Sequence, residues 1–380
     1  MTGDIDPPAS APQPPAWQPG WTPAGGTAPG ADPGQPGPAP DPSLTPAPPA
    51  PAAKKGGIRK RWIVLGVVVA VLAAGGYQLW QDEQAYKTGH AAYLAADCAS
   101  AVGPLRKAGG NEKASSSDTD TELAARAELQ ECEALLAAGD LNTQGKPADA
   151  VLAYSDFVTK YPRSPLLGPA RSSAQGLMST STEAVATVAL CDVLEMLEAI
   201  QFVATPAATL PTLLYACGQA YEAAREWAEA LAVYGRFRAE YADHALAGDV
   251  EIAFARTTLA ETAAAGAGNL PQPGRGTGAG TAGQATVVIV NDSPDALSMV
   301  FSGPDVRVEE LASCGECVEY TGDGPPDCPN IGPVAEYVLA PGSYEVVVKS
   351  GSGAGTIPFR GTWTLDPGEV YESCFYIVTG

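Results

Sequence analysis

The sequence predicts a multidomain chain: a single transmembrane helix, an all-α helical-repeat solenoid, then an all-β sandwich of about seven strands. Three observations carry that expectation. Residues 62–80 form an apolar run without a charge; residues 148–166 and 228–246 repeat one apolar pattern at an offset of 80; residues 285–380 break into short β-branched and aromatic runs separated by turn residues. Taken in order, the chain is expected to divide into 1–53, 54–61, 62–80, 81–264, 265–284 and 285–380.

The run WIVLGVVVAVLAAGGYQLW spans Trp62 to Trp80. At about 1.5 Å per residue it makes a helix about 28 Å long, close to the hydrocarbon thickness of a bilayer. Its end residues, Trp62 and Trp80, are of the type that favours the headgroup level. Lys54, Lys55, Arg59, Lys60 and Arg61 precede it, whereas Gln81, Asp82 and Glu83 follow. The positive-inside bias therefore places the N-terminus in the cytoplasm and residues after Trp80 outside, a single-pass type II topology in the cell membrane with the lipid bilayer as a partner of residues 62–80. Bulky Tyr77, Leu79 and Trp80 at its end argue against a cleaved signal peptide, which ends in small residues.

The net charge of −21 is unevenly placed. Beyond the run there remain 17 basic against 39 acidic residues, since five of the 22 Lys and Arg and four of the 43 acids precede it. Such an exterior repels phosphate backbones, which excludes nucleic acid as a partner. Abundant Ala, Pro and Gly are the composition of a high-GC genome and point to an actinobacterial source. Residues 1–53 carry 17 prolines and no Lys or Arg. They cannot bury enough apolar surface to offset their ordering entropy, so a disordered, polyproline-rich cytoplasmic tail is expected. Its PPAW, QPGW and PAPP patches suit a polyproline-binding groove, with a solvated spacer as the plainer reading.

From Gln81 to about Ala264 the chain is Ala-rich, with apolar positions at helical spacing. One helix is expected from Asp82 to just before Gly103-Pro104, another from Thr121 to Ala138, and further ones near 168–178, 183–203, 211–224 and 246–264. Within the repeat, Ala150, Tyr154, Phe157 and Tyr161 match Ala230, Tyr234, Phe237 and Tyr241. Steps of four, three and four put each set on one helical face, small Ala admitting a partner helix and the aromatics filling the groove beside it.

This pattern, with its "A-x3-Y-x2-F-x3-YP-x-S" ending, resembles the tetratricopeptide repeat in its envelope-type form over residues 140–178 and 215–260. The resemblance implies antiparallel helix pairs stacked as a right-handed solenoid, binding other envelope proteins along a concave surface. All eight cysteines lie beyond the apolar run: Cys98, Cys132, Cys191 and Cys217 in the helical region, Cys314, Cys317, Cys328 and Cys374 in the last. Even numbers in an exported region read as disulfides. A zinc site is the competing reading of the C-x-x-C at Cys314 and Cys317, but the distances to Cys328 and Cys374 match no zinc ribbon. Each helical pair falls in consecutive predicted helices, giving Cys98–Cys132 and Cys191–Cys217. For the last four, both C-x-x-C members are expected to pair outward, to Cys328 and Cys374.

Residues 265–284 read as a Gly-rich linker with a reach of about 25 Å, separating two independent bodies. Beyond it, strands are expected at 285–290, 297–301, 306–311, 335–339, 343–349, 356–365 and 369–378, the count of a small sandwich. The stretch LAPGSYEVVV is similar to a hairpin of PEGA-type surface sandwiches.

Chemistry is sparse. His90 and His244, the two histidines, lie far apart without a nucleophile motif, so neither catalysis nor a cofactor is expected. Asp323, Asp327, Glu316 and Glu319 have the oxygen ligands for Ca²⁺ but no ligand-loop spacing, and a solvated acidic surface is the default. The expected function is a non-enzymatic envelope protein whose aromatic and Ala-lined helical grooves bind other proteins. The alternative is a cell-wall glycan reader in which Trp363, Tyr371, Tyr320 and Tyr337 of the sandwich stack on sugars.

Overall fold

The computed structural model describes residues 77–78, 80–110, 119–203, 206–322, 324–325, 327–351 and 357–379. The proline-rich tail, the basic segment and nearly all of the apolar run lie outside them; among the described residues no helix is long and apolar enough to cross a membrane.

The expected single helix from Asp82 to Gly103 is two helices, α1 (80–94) and α2 (Cys98–Gly109), and Pro104 sits inside the second. Between them Ala96 adopts a left-handed φ of 58°, and the Asp97 N–H returns to the Ala92 carbonyl at 2.9 Å. The Asp97 carboxylate then caps α2 by accepting from the Ser100 N–H. Helix α3 (Asp120–Thr143) opens with a capping box in which Thr119 and Glu122 satisfy each other's backbone N–H, and α4 (Pro147–Lys160) starts on a proline, where no donor is lost. Helix α5 (Leu167–Thr180) follows. The helix expected over 183–203 is three short ones, α6 (Thr182–Val185), α7 (Val188–Cys191) and α8 (Leu194–Ala199). Thr187 interrupts them: its backbone is extended and its hydroxyl accepts from the Leu190 N–H, the competition with helix that Thr favours. Helices α9 (Pro206–Ala224), α10 (Trp227–Glu240) and α11 (Ala247–Ala265) complete the region.

The α1–α2 turn recurs. Gly145 between α3 and α4 and Arg225 between α9 and α10 are left-handed at φ 76° and 64°. Lys146 N–H returns to Leu141 and Glu226 N–H to Tyr221, at 3.0 and 2.9 Å. Three hairpins therefore share one closing geometry, and one apolar cluster runs from Tyr93 to Ala253 through all of them.

All seven expected strands are present: β3 (Ala285–Asn291), β4 (Leu297–Ser302), β5 (Val306–Leu311), β7 (Val334–Leu339), β8 (Gly342–Ser350), β9 (Phe359–Leu365) and β10 (Val370–Phe375). They lie in two sheets. One has the order β1-β9-β8-β4-β5, the other β2-β10-β3-β7, with β1 at Gly268–Asn269 and β2 at Gly274–Arg275, and a small ladder joins β6 (Tyr320–Thr321) to β11 (Val378–Thr379). The inner faces share a core of Val287, Ile289, Phe301, Tyr344, Val346 and Trp363. The PEGA-like stretch is not a hairpin: β7 and β8 belong to different sheets, and Pro341-Gly342 carries the chain across between them.

The supposed linker supplies the two remaining strands, β1 (Gly268–Asn269) beside β9 and β2 (Gly274–Arg275) beside β10. Leu270 is in the sandwich core, and the Pro271 carbonyl accepts from the Trp363 indole at 2.8 Å. Nor are the two bodies independent. One side of α11 packs on α10, and another lies on the outer face of β4, β5 and β8, burying Ala255 against Val300 and Val347, with Leu259, Val306 and Val308 around them. Polar contacts ring this seam. Glu251 pairs with Arg238 at 2.8 Å and accepts the Val308 N–H at 2.9 Å, while Lys349 pairs with Glu261. Gly-rich composition signalled flexibility, but the strand pairing and Leu270 anchor the segment.

Val347 is fully buried at the seam. Val347→Asp puts a carboxylate there without a partner, which costs several kcal/mol. In the native chain, helical circular dichroism and Trp363 fluorescence should report one coincident urea transition. The variant should separate them.

Candidate functional site

The repeat residues expected to line a binding groove are instead core. Ala150, Tyr154 and Phe157 of α4, and Ala230, Tyr234 and Phe237 of α10, are all buried, with Tyr161 and Tyr241 half-buried against Phe157 and Phe237. A Cβ added to Gly218 of α9 would lie 2.2 Å from Tyr234, so that glycine makes room for the ring. Sequence reasoning passed over it, although a glycine in a helix interior is a signal of close packing. The faces available to a partner are those the aromatics leave outside.

A polar contact joins α1 to α3, the first helices of two successive hairpins. Tyr86, His90 and Tyr93 stack along α1, with centroid separations of 5.3 and 6.4 Å. Opposite them, Glu128 accepts from the Tyr86 hydroxyl at 3.1 Å and lies 2.7 Å from His90 Nδ1, and Glu131 accepts from the Tyr93 hydroxyl at 2.5 Å. The ladder ties two hairpins together by paired polar groups, and its histidine has no nucleophile beside it. His244 is a turn residue: its Nδ1 accepts from the Leu246 N–H at 3.2 Å, the place that the Ser164 hydroxyl takes for Leu166 in the first copy.

Burial, reinforced by the neighbouring carboxylate, raises the hydroxyl pKa of Tyr86 beside Glu128, Tyr93 beside Glu131, Tyr221 beside Asp192 and Tyr234 beside Glu222. Below about pH 10 the folded and unfolded states both keep these protons; above it the unfolded state releases them first, so stability falls as pH rises. Tyrosinate absorbance at 295 nm should therefore rise together with loss of helical signal, and Tyr93→Phe should lessen the alkaline loss of stability.

The helical disulfides pair as expected, Cys98 of α2 to Cys132 of α3 and Cys191 of α7 to Cys217 of α9, the second passing over the short α8. In the sandwich the expected connectivity is overturned. Cys314 bonds Cys317, and Cys328 bonds Cys374. Asp292 accounts for the arrangement. Its carboxylate is buried and accepts the N–H groups of Asn330, Ile331 and Gly332 at 2.7–2.8 Å, fixing the loop whose Cys328 then meets Cys374 on β10. Gly332 is required, since a Cβ there would lie 1.8 Å from the Asn291 carbonyl. Among the described residues, Asp292, Cys328 and Cys374 are the only group with metal-ligand spacing. Both sulfurs are bonded to each other and the carboxylate is engaged by three N–H groups, so the cluster is a latch. Glu316, Glu319 and Asp327 are exposed and ungathered, and Asp323 lies outside the described residues.

Cys328–Cys374 closes a sequence separation of 46, Cys314–Cys317 one of 3. Loop-closure entropy then gives about 4 kcal/mol for the first and about 2 for the second. Urea denaturation should rank the paired Cys→Ala variants in that order, and alkylation of the unfolded native chain should find no free thiol.

A cleft of about 500 Å³ opens at one end of the sandwich, lined by Leu270, Leu297, Phe359, Phe375, Ile377 and Val378 among others. Two of its serine hydroxyls are engaged: Ser293 donates to the Asp295 carbonyl and Ser350 to its carboxylate. Such a lining suits apolar contact and holds no acid–base pair. The aromatics of the glycan reading lie elsewhere. Trp363, Tyr371 and Tyr337 are buried in the core, and Tyr320 packs edge-on against Tyr376 at 5.8 Å. Three of the four offer no face for a sugar.

Residues 133–164 and 213–244 match the tetratricopeptide repeat family. The matches cover the end of α3 with α4, and α9 with α10, so the aromatic helix is the second of each pair, and the matched stretches begin and end before the 140–178 and 215–260 that the sequence pattern alone indicated. No curated protein matches the chain.

Proposed function

We propose that this chain is a non-enzymatic, single-pass envelope protein whose extracytoplasmic helical repeats serve as a scaffold for other proteins. The pair of tetratricopeptide matches carries the reading, because stacked helix hairpins of this kind offer extended surfaces to protein partners. Four disulfides support an oxidising, extracytoplasmic setting for residues 98–374. The apolar run 62–80 with its basic flank supplies the anchor and sets the orientation, cytoplasmic N-terminus and exported C-terminus. Partners meet the outward surfaces of the hairpins, since the aromatic repeat positions are occupied in the core.

Cross-linking of the full chain in its own envelope, with the links mapped by mass spectrometry, tests this. The expected result is reproducible links from other envelope proteins to residues 81–264. Their absence from that region would remove the scaffold reading. Protease applied outside intact cells should cut within 81–380 and spare 1–53; the reverse would overturn the topology.

A further inference from the structure

Three of the four edges of the sandwich are partly covered, two by short added strands and one by side chains of the helical region. Along β9, β1 pairs with Phe359 and Arg360, and the Gln272 amide continues the ladder by donating to the Thr364 carbonyl at 2.8 Å and accepting its N–H at 2.9 Å. On β5, Glu251 accepts the Val308 N–H and Arg238 reaches the Val308 carbonyl. On β10, β2 pairs with Tyr371 and Glu372. Proteins cover edges in such ways because unpaired N–H and C=O groups recruit further strands.

The fourth edge is β7. Its odd-numbered residues face β3: the Pro333 carbonyl just before it accepts the Asn291 N–H, and the Val338 carbonyl points the other way, toward Arg307 at 3.4 Å. In an antiparallel ladder the alternation then turns the backbone groups of Val334, Glu336 and Val338 outward. Apart from that long Arg307 contact, no partner for them is found among the described residues. Their side chains form a Val–Glu–Val row on the outer face, where Val334 is 59% and Val338 37% exposed. Glu336 lies opposite Val288, which lies opposite Glu372, so two carboxylates share the central row.

We propose that the β7 edge is a strand-addition site for an extended basic segment of a partner protein. That segment carries Lys or Arg opposite Glu336 and β-branched residues opposite Val334 and Val338. Main-chain bonds to the outward groups supply affinity, and the alternating side chains supply selectivity. A second copy of this chain fits poorly, because full-register antiparallel pairing of β7 with itself sets Glu336 against Glu336, and like charges directly opposite destabilise a ladder. The acidic exterior steers a basic segment toward the edge. The site is separate from the helical surfaces of the scaffold reading and does not rest on it.

The test uses the full chain in nanodiscs and two labelled, end-blocked peptides, Thr-Val-Thr-Lys-Thr-Val-Thr and the same peptide with Glu in place of Lys. At low salt the Lys peptide should bind at least tenfold more tightly, and Glu336→Lys should reverse the order. Glu336→Pro removes one outward N–H and leaves the β3 ladder intact, so it should weaken both peptides at least tenfold. Because Glu336 is exposed, Glu336→Lys keeps the fold and decides the matter where the proline variant does not fold. Equal binding of both peptides, binding of neither, an unchanged order in Glu336→Lys, or self-association of the chain through β7 would each overturn the proposal.

Discussion

Helix α11 is the constraint on which the arrangement of the helical repeats and the sandwich depends. It belongs to the helical region through α10 and to the sandwich through β4, β5 and β8. Its small Ala255 allows the sheet to approach, and Val300 and Val347 fill the contact. The apolar contact has three buried residues at its centre. It gains direction from Glu251, which is held by Arg238 and takes the free N–H of an edge strand, so one ion pair both orients the seam and closes a sheet edge. Immediately after α11 the chain enters the sandwich as β1 and β2, which leaves little slack for the two bodies to separate.

The same economy governs the helical hairpins. Each aromatic at the repeat positions is spent on holding one helix against the next, as Tyr234 is against Gly218. Polar ladders such as Tyr86–His90–Glu128 and the Cys98–Cys132 disulfide add cross-ties between successive hairpins, and Cys191–Cys217 ties α7 to α9. What is left for partners is the outward surface of a braced stack, together with whichever sheet edge remains uncovered.

Much of this was legible in the sequence. Seven strands follow from alternation and turn residues, and the helical cysteines fall on neighbouring helices as their spacing implies. Other features depend on contacts distant in the chain. A buried Asp292 that gathers three loop N–H groups decides which cysteine meets Cys374, and nothing local to Cys314 or Cys317 reports it. Gly-rich composition describes 265–284 as free chain, yet pairing with β9 and β10, some ninety residues away, orders it. The aromatic face was read correctly as a face and wrongly as a groove, because periodicity shows which residues share a side and not what covers that side. The open edge at β7 is visible only once the order of strands is known.

The central claim is that the helical repeats and the sandwich move as one body. Pulsed electron resonance on the full chain in nanodiscs tests it directly, with spin labels on non-natural residues placed at the exposed positions of Gln130 in α3 and Thr362 in β9. A single narrow distance distribution is expected. A broad one, spread over the roughly 25 Å that a flexible 20-residue linker permits, would contradict the claim.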